Sequence, residues 1–564
     1  MKRLIILFVI AIFFYSCSKD SDNTIDYTIS PITKNGEELL KVKMAFKVKS
    51  NETSTLLFQD TAWGQDSLHN VIRDIKVLSE QSSIHSNRDS GWYQITHPKD
   101  IKHVELEYTI KQDSEGELTT WDTYRPIIQS DYFHLFSHNF LMLPKAIIDA
   151  SNNNFNVVIK WENFPEDYAI VNSFGSNERV QHIEHISEEK FHTAIFTGGD
   201  FRIYDINIKG NNVAFAIRGD WKVFQDSTMV NILKKTIVKQ RDFWQDHTQD
   251  YFAVTLIPTI QERGSSFQGS GLTNSFATNA SNNEYLETQG LVYLFNHELQ
   301  HNWTGHIIKN DNEEEQYWFS EGFTDYYTIK NIAKGNIFNL DESYFINEFN
   351  NFIKSLYTSP VKDVPNSEMT YENFWSGKEG MQKLPYRRGA ILAFYLDQKI
   401  KQDSKGKYCL DNVLLDFKND ALKNKQKITH AYFIQTVNNY VNDDFKPFFD
   451  AHIENGQLYN LEHIFKSFGF EYTPTSEVFD LGFIFSEDKK SIVSIDENSA
   501  AYKVGLRAGD RIISRSYYLD SIEHEAEFTV VRNGNEIAFA YLPVRNAKIP
   551  LLKNNQHNKN LLNL

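Results

Sequence analysis

LVYLFNHELQHNW, residues 291–303, and YWFSEGFTDYY, residues 317–327, decide how the rest of this chain is read. In the first, His297 and His301 sit four apart with Glu298 beside the first histidine. Leu291, Leu294 and His301 fall on or near one face, which indicates a helix. Four helical residues make about 400° of rotation and ~6 Å of rise, so both imidazoles project from one face about a turn apart. That spacing suits two ligands of one zinc ion. Glu298 lies to the side of such a metal, where it can take a proton from water whose pKa the metal lowers toward ~7. The pentapeptide alone also fits a solvated helix face. The apolar run LVYLF weighs against that, because buried His and Glu need partners.

A catalytic zinc takes a third protein ligand and leaves its fourth position open. His306 is out of register for the HExxHxxGxxH arrangement, whose glycine and third-ligand positions are Thr304 and Ile307 here. Glu321 is the better candidate. Nineteen residues separate it from His301, it begins a second helical stretch, and Asp325 follows one turn later.

Together the two stretches resemble the gluzincin peptidases, and more narrowly the glycyl aminopeptidase family, in which HExxH is followed by Trp two residues on and then by W-x-S/N-E-G-x-T-x-Y-Y. The resemblance implies a thermolysin-like, mainly helical catalytic domain holding one Zn2+, with His297, His301 and Glu321 as ligands and Glu298 as general base. It implies that Asp325 orients the first histidine, a sensible task because a ligating imidazole usually gives its other N–H to an acceptor. LPYRRGAILAFYL, residues 384–396, resembles the family's Tyr-x-(Lys/Arg)-Gly helix start, so Tyr386 is expected to donate to the oxyanion that forms at the scissile carbonyl. Arg387 and Arg388 beside it read as a solvated helix start, or as holders of a substrate carboxylate.

SSFQGSGLTNSFAT, residues 265–278, is similar to the family's glycine-rich strand, making Gly269, Gly271 and Leu272 the expected substrate-binding residues. Thr273 and Asn274 stand where that strand carries an acidic residue for the substrate's α-amino group. An ammonium desolvated without a negative partner is costly. Glu262, Glu284 or Glu287 could substitute, or could be surface charge. The expectation is therefore a zinc metallopeptidase, aminopeptidase-like on small N-terminal residues. The alternatives are an endopeptidase without amine recognition and a peptide-binding surface protein with a vestigial metal site.

Outward from this block the chain divides by pattern. MKRLIILFVIAIFFYSCSKD, residues 1–20, has basic Lys2 and Arg3 and then an apolar run of 12, Leu4 to Tyr15. That is too short to span a bilayer, which needs ~20 residues, and it reads as an export signal. Ser16-Cys17 resembles a bacterial lipobox, so Cys17 is the expected lipidation site; an ordinary cleaved signal is the alternative. Residues 18–26 form a polar tether. Over 27–220, runs such as KVKMAFKVK and HVELEYTI alternate with period two, predicting a β-rich N-terminal domain. Helical periods fill 221–472, the expected catalytic domain. From 476 to 546 strands return, and NSAAYKVGLRAGDRI with Leu481-Gly482-Phe483 resembles a PDZ domain, in which the latter loop captures a peptide C-terminal carboxylate. Residues 547–564 read as a loose polar tail. The fold class is thus α+β multidomain: β-rich N-terminal domain, helical catalytic domain, PDZ-like β domain.

Composition agrees. Hydrophobic residues make up 41% and aromatics 14%, enough for packed cores. The net charge of −16 argues against nucleic acid as a partner. Expected partners are a peptide or protein substrate, a C-terminal peptide at the last domain, and the membrane of a bacterial envelope through the lipid anchor. Cys409, with only Cys17 beside it in the chain, reads as a buried core residue.

Overall fold

The computed structural model describes residues 23–48, 52–87, 91–150, 154–262, 264–558 and 561–562. The signal segment, Cys17 and most of the tether lie outside the described residues. The chain forms two units. One comprises residues up to Glu115 with Tyr124–Ile170 and Phe174–Asp200; the other comprises Gly116–Thr123, Val171–Ser173 and everything from Phe201.

The first unit is β-rich, and period-two alternation builds it. Thr24–Lys34 pairs antiparallel with Glu37–Lys47, which pairs antiparallel with His103–Lys111, so that Val42 faces Tyr108 and Met44 faces Leu106. These inward residues, with Ile25, Tyr27 and Ile29, make the core, while the lysines and glutamates between them point outward. The phenols of Tyr27 and Tyr108 donate to the carbonyls of Met142 and Phe140, which satisfies two buried hydroxyls.

The second unit begins with a five-stranded sheet. Its strands are β1 (Arg202–Ile208), β2 (Asn211–Ile217), β3 (Tyr251–Thr259), β4 (Phe267–Leu272) and β5 (Ser275–Ser281), in the spatial order β1-β2-β3-β5-β4. The expected boundary near 220 therefore falls near Asp200. The strands from 202 to 217 alternate like those before them, but β2 pairs in parallel with β3 and belongs to this sheet. A parallel pair needs a crossover, and α1 (Asp226–Trp244) supplies it, burying Met229, Ile232, Leu233 and Ile237. Edge strand β4 closes the sheet as a hairpin with β5, turning at Thr273-Asn274 with Asn274 left-handed at φ 48°.

Among the helices that follow the sheet, those around the site are α2 (Thr288–Gln300), α3 (Gly322–Gly335), α4 (Glu342–Thr358) and α5 (Lys383–Asp403). One apolar core runs through sheet and helices. Gly322 and Gly389 set the crossing of α3 and α5. A Cβ on Gly322 would lie 2.5 Å from Gly389 Cα, and one on Gly389 would lie 1.8 Å from the Trp318 carbonyl oxygen. The two backbones touch, which no larger residue permits. Cys409 is buried and free, as its apolar surroundings indicated.

The C-terminal module has its own small core of Ile492, Ala501, Leu506, Ile512, Phe528 and Val530. It pairs Ser476–Phe479 with Val544–Ala547 and Phe483–Phe485 with Ile492–Ile495, and adds a three-stranded sheet and the short helix Ala500–Val504. The segment after it, expected to be loose, is placed against the helical core. Leu551 and Leu552 pair with Thr473 and Tyr472, and the Asn350 side chain both donates to and accepts from the Leu552 backbone at 2.9 Å. Ile549, Leu561 and Leu562 are buried. The polar letters hid five apolar side chains whose burial outweighs the entropy of ordering the strand. Among the described residues no helix is long and apolar enough to cross a membrane.

Candidate metal centre

His297 and Glu298 sit in the last turns of α2, and His301 caps it. Glu321 lies in the break between the helical turn Tyr317–Ser320 and α3. Glu321 Oε2 stands 3.2 Å from His297 Nε2 and 3.8 Å from His301 Nε2. One donor atom from each of the three lies within 4.8 Å of the others. The second nitrogen of each ring is already engaged: His297 Nδ1 with Asp325 Oδ1 at 3.0 Å, His301 Nδ1 with the Thr304 carbonyl at 3.1 Å. That leaves both Nε2 atoms turned toward Glu321. Glu321 Oε2 is itself buried with no hydrogen-bond partner. Two imidazoles and an orphaned carboxylate oxygen on one small space fit a divalent metal, and the donor set suits zinc.

The electrostatics point the same way. Burial pulls the His297 imidazole down, but the carboxylates of Asp325 and Glu321 beside it outweigh that and carry it to about 10. Burial opposes ionisation of Glu321, yet His301 and His297 hold its pKa below the ordinary value. Asp325 is driven to about 2: burial opposes this, and Arg387 and His297 overcome it. The cluster draws positive charge, which a metal supplies when it displaces the protons.

Glu298 is buried, and burial raises its pKa against the pull of His297 and His301. Gly269 and Gly271 of β4 pack against it and against His301. Edge strand β4 thus lies directly on this side chain. A Cβ on Gly269 would lie 2.5 Å from Glu298 Cγ, and one on Gly271 would lie 2.7 Å from His301 Cβ. The two glycines let the strand reach the centre; Leu272 is buried at its end. Tyr386, one turn into α5, lies parallel to the His297 ring with centroids 6.1 Å apart. Burial, with Glu321 and Asp325, raises its pKa well above the ordinary value, so it is a neutral donor.

The sequence residues His297, Glu298, His301, Glu321, Asp325, Tyr386, Gly269 and Gly271 therefore meet in one place. Arg387 and Arg388 are not a solvated helix start. Arg387 donates to Asp325 Oδ2 at 2.5 Å with its guanidinium 4.4 Å above the Phe352 ring, and Arg388 donates to the carbonyls of Lys362 and Val364. Glu262, Glu284 and Glu287 are exposed, and Glu284 faces Lys222 at 4.0 Å. Four participants had no motif to mark them. Tyr293 donates its hydroxyl to Asp325, and its place four residues before His297 on the same helix face was the available signal. Lys383 holds its ammonium 4.7 Å over the Tyr386 ring. Tyr317 packs on Phe374 with centroids 4.5 Å apart. Glu313 accepts from Ser320 Oγ at 2.7 Å, and burial together with Glu321 raises its pKa.

In the C-terminal module, the Gly482 N–H donates to Asp480 Oδ1 at 2.7 Å and the Leu481 carbonyl accepts from Tyr541, while Phe483 packs on Phe528.

These two units carry the fold of aminopeptidase N. The crystal structure of an aminopeptidase N family protein from Idiomarina loihiensis superposes with a TM-score of 0.73 over 96% of this chain and 99% of that one, at 15% identity. A two-domain M1 zinc metallopeptidase point mutant bound to L-tryptophan matches 78% of this chain and 95% of its own at 12% identity, with a TM-score of 0.47 that adds nothing to the argument. No protein-family model matches the chain.

Proposed function

We propose that this chain is a zinc-dependent peptidase of the aminopeptidase kind, similar in its motifs to glycyl aminopeptidases. The observation that carries the reading is the convergence of His297, His301 and the partnerless Glu321 oxygen beside a buried Glu298. Zinc held there supplies Lewis acidity to water and to a carbonyl oxygen. Glu298 takes the proton from the attacking water and returns it to the leaving amine. Tyr386, a neutral phenol, donates to the carbonyl oxygen as that oxygen gains charge. Edge strand β4 offers backbone groups along which an extended peptide lies, with Gly269 and Gly271 leaving room.

Metal analysis of the purified chain, followed by comparison of free and N-acetylated peptides, tests the reading. One zinc per chain and hydrolysis abolished by chelation are expected. Cleavage of free peptides alone marks an aminopeptidase; cleavage of both marks an endopeptidase, the reading that Thr273 and Asn274 favour because neither carries a charge. Cleavage of neither by the zinc-loaded chain removes the proposal. Glu298→Gln is expected to keep its metal and lose hydrolysis by about 10²–10⁴-fold.

The reading includes export and a lipid anchor at Cys17, checked by whether Cys17→Ser releases the chain from the membrane fraction. The C-terminal module is read as PDZ-like. A peptide carboxylate entering its Leu481-Gly482-Phe483 loop has to displace Asp480 from the Gly482 N–H.

A further inference from the structure

Edge strand β4 ends at the turn Thr273-Asn274, and neither turn residue balances an ammonium. A carboxylate stands close by on another element. Glu313 opens the turn that leads through Tyr317–Ser320 to Glu321. Its Oε1 is tied at 2.7 Å to the hydroxyl of Ser320, a buried residue directly before Glu321. The charges acting on it are those of Glu321 and His301. His301 is also the residue on which Gly271 of β4 packs, so Glu313 and the end of the strand approach the same ligand. Next to it is Tyr317, whose phenol lies in the field of both Glu313 and Glu321 and whose ring packs on Phe374.

The other carboxylates of the centre are committed. Asp325 serves His297, Tyr293 and Arg387; Glu321 faces the metal position; Glu298 is buried beneath β4 at Gly269. Among the described residues no lysine or arginine pairs with Glu313. It brings a carboxylate without a basic partner to the Ser320 turn, directly before the ligand Glu321.

We propose that Glu313 determines specificity for a free N-terminus: its carboxylate receives the α-ammonium of a peptide laid along β4, from the Ser320 turn rather than from the hairpin. Tyr317 and Phe374 then wall the N-terminal side chain, so the ligands are unblocked peptides and amino-acid amides with apolar first residues. For hydrolysis this rests on the peptidase reading; for binding it does not.

The test uses the full zinc-loaded chain and has two arms. In the first, kcat/KM is compared for a peptide with N-terminal phenylalanine and its N-acetyl form. The preference for the free amine is expected to fall about 10- to 100-fold in Glu313→Gln, the scale of a lost charged hydrogen bond. In the second, calorimetry compares L-phenylalaninamide with N-acetyl-L-phenylalaninamide. The native chain is expected to bind the free amine about tenfold or more tightly, the Gln variant to bind both alike, and Glu313→Asp to retain the preference. Melting curves control for folding. A Gln variant that discriminates as the native chain does overturns the proposal. A native chain that hydrolyses neither peptide ends the peptidase reading, while the calorimetry still decides the role of Glu313.

Discussion

Asp325 gathers three donors, the His297 ring, the Tyr293 hydroxyl and the Arg387 guanidinium, at a position 1% exposed. Asp325→Asn leaves Arg387 without its counter-charge and weakens the hold on the His297 ring. Metal affinity is expected to fall about 10- to 100-fold, measured by competition with a chelator, with a smaller fall for Tyr293→Phe. At this scale the residues of the two quoted stretches were legible because helical spacing fixes which side chains share a face. Tyr386 was legible through a motif. Glu313 and Lys383 were not: Glu313 sits in the acidic run NEEE, which reads like any solvated loop, and only tertiary packing brings it to Ser320. Arg387 was misread because a charged residue at a helix start is usually solvated, and nothing local reveals that Asp325 lies against it.

Among elements, β4 depends on its glycines. Gly271→Ala places a methyl 2.7 Å from His301 Cβ. The strand or the ligand must shift, with a cost of about 1–3 kcal/mol in unfolding experiments and a loss of hydrolysis larger than that figure explains. Helices α3 and α5 are joined by an ion pair. Lys330 Nζ lies 3.2 Å from Asp397 and 2.6 Å from Asp411, with side-chain exposures of 2% for Lys330 and 0% for Asp397. Lys330→Met takes one of its two lysine partners from a buried carboxylate and is expected to cost about 3 kcal/mol. Burial opposes ionisation of Asp397, yet Lys330 and Lys401 hold its pKa at about 2, below the ordinary 3.8. Because the folded value is the lower one, this stability is full above the ordinary pKa and is lost as pH falls from about 4 toward 2. Acid denaturation followed by circular dichroism is expected to shift to higher pH in the Lys330→Met variant. The hairpin β4–β5 and the helix patterns were readable from spacing; the parallel pairing of β2 with β3 was not, because alternation does not say which neighbour a strand will take.

For the whole chain, the unexpected ordering of the last residues sets a test. Ending the chain at Ala547 removes the Thr473–Leu551 pairing and exposes the apolar surface that Ile549, Leu551, Leu552, Leu561 and Leu562 cover. A fall in melting temperature of about 5–10 °C is expected by calorimetry; an unchanged melting curve contradicts the packing described. Domain order, β-rich first and helical second, was legible from the switch of period. The boundary and the tail were not, since both depend on long-range partners that composition does not name.

The contact of Gly322 with Gly389 carries a last consequence. It is a seam of bare main chain, and it binds the ligand Glu321 to the donor Tyr386 like two blades riveted face to face. Such a joint cannot be loosened by exchanging side chains, since neither surface has any. Variation that retunes this protein toward new substrates has to work from the rim, at turns such as the one bearing Glu313, and leave the rivet alone.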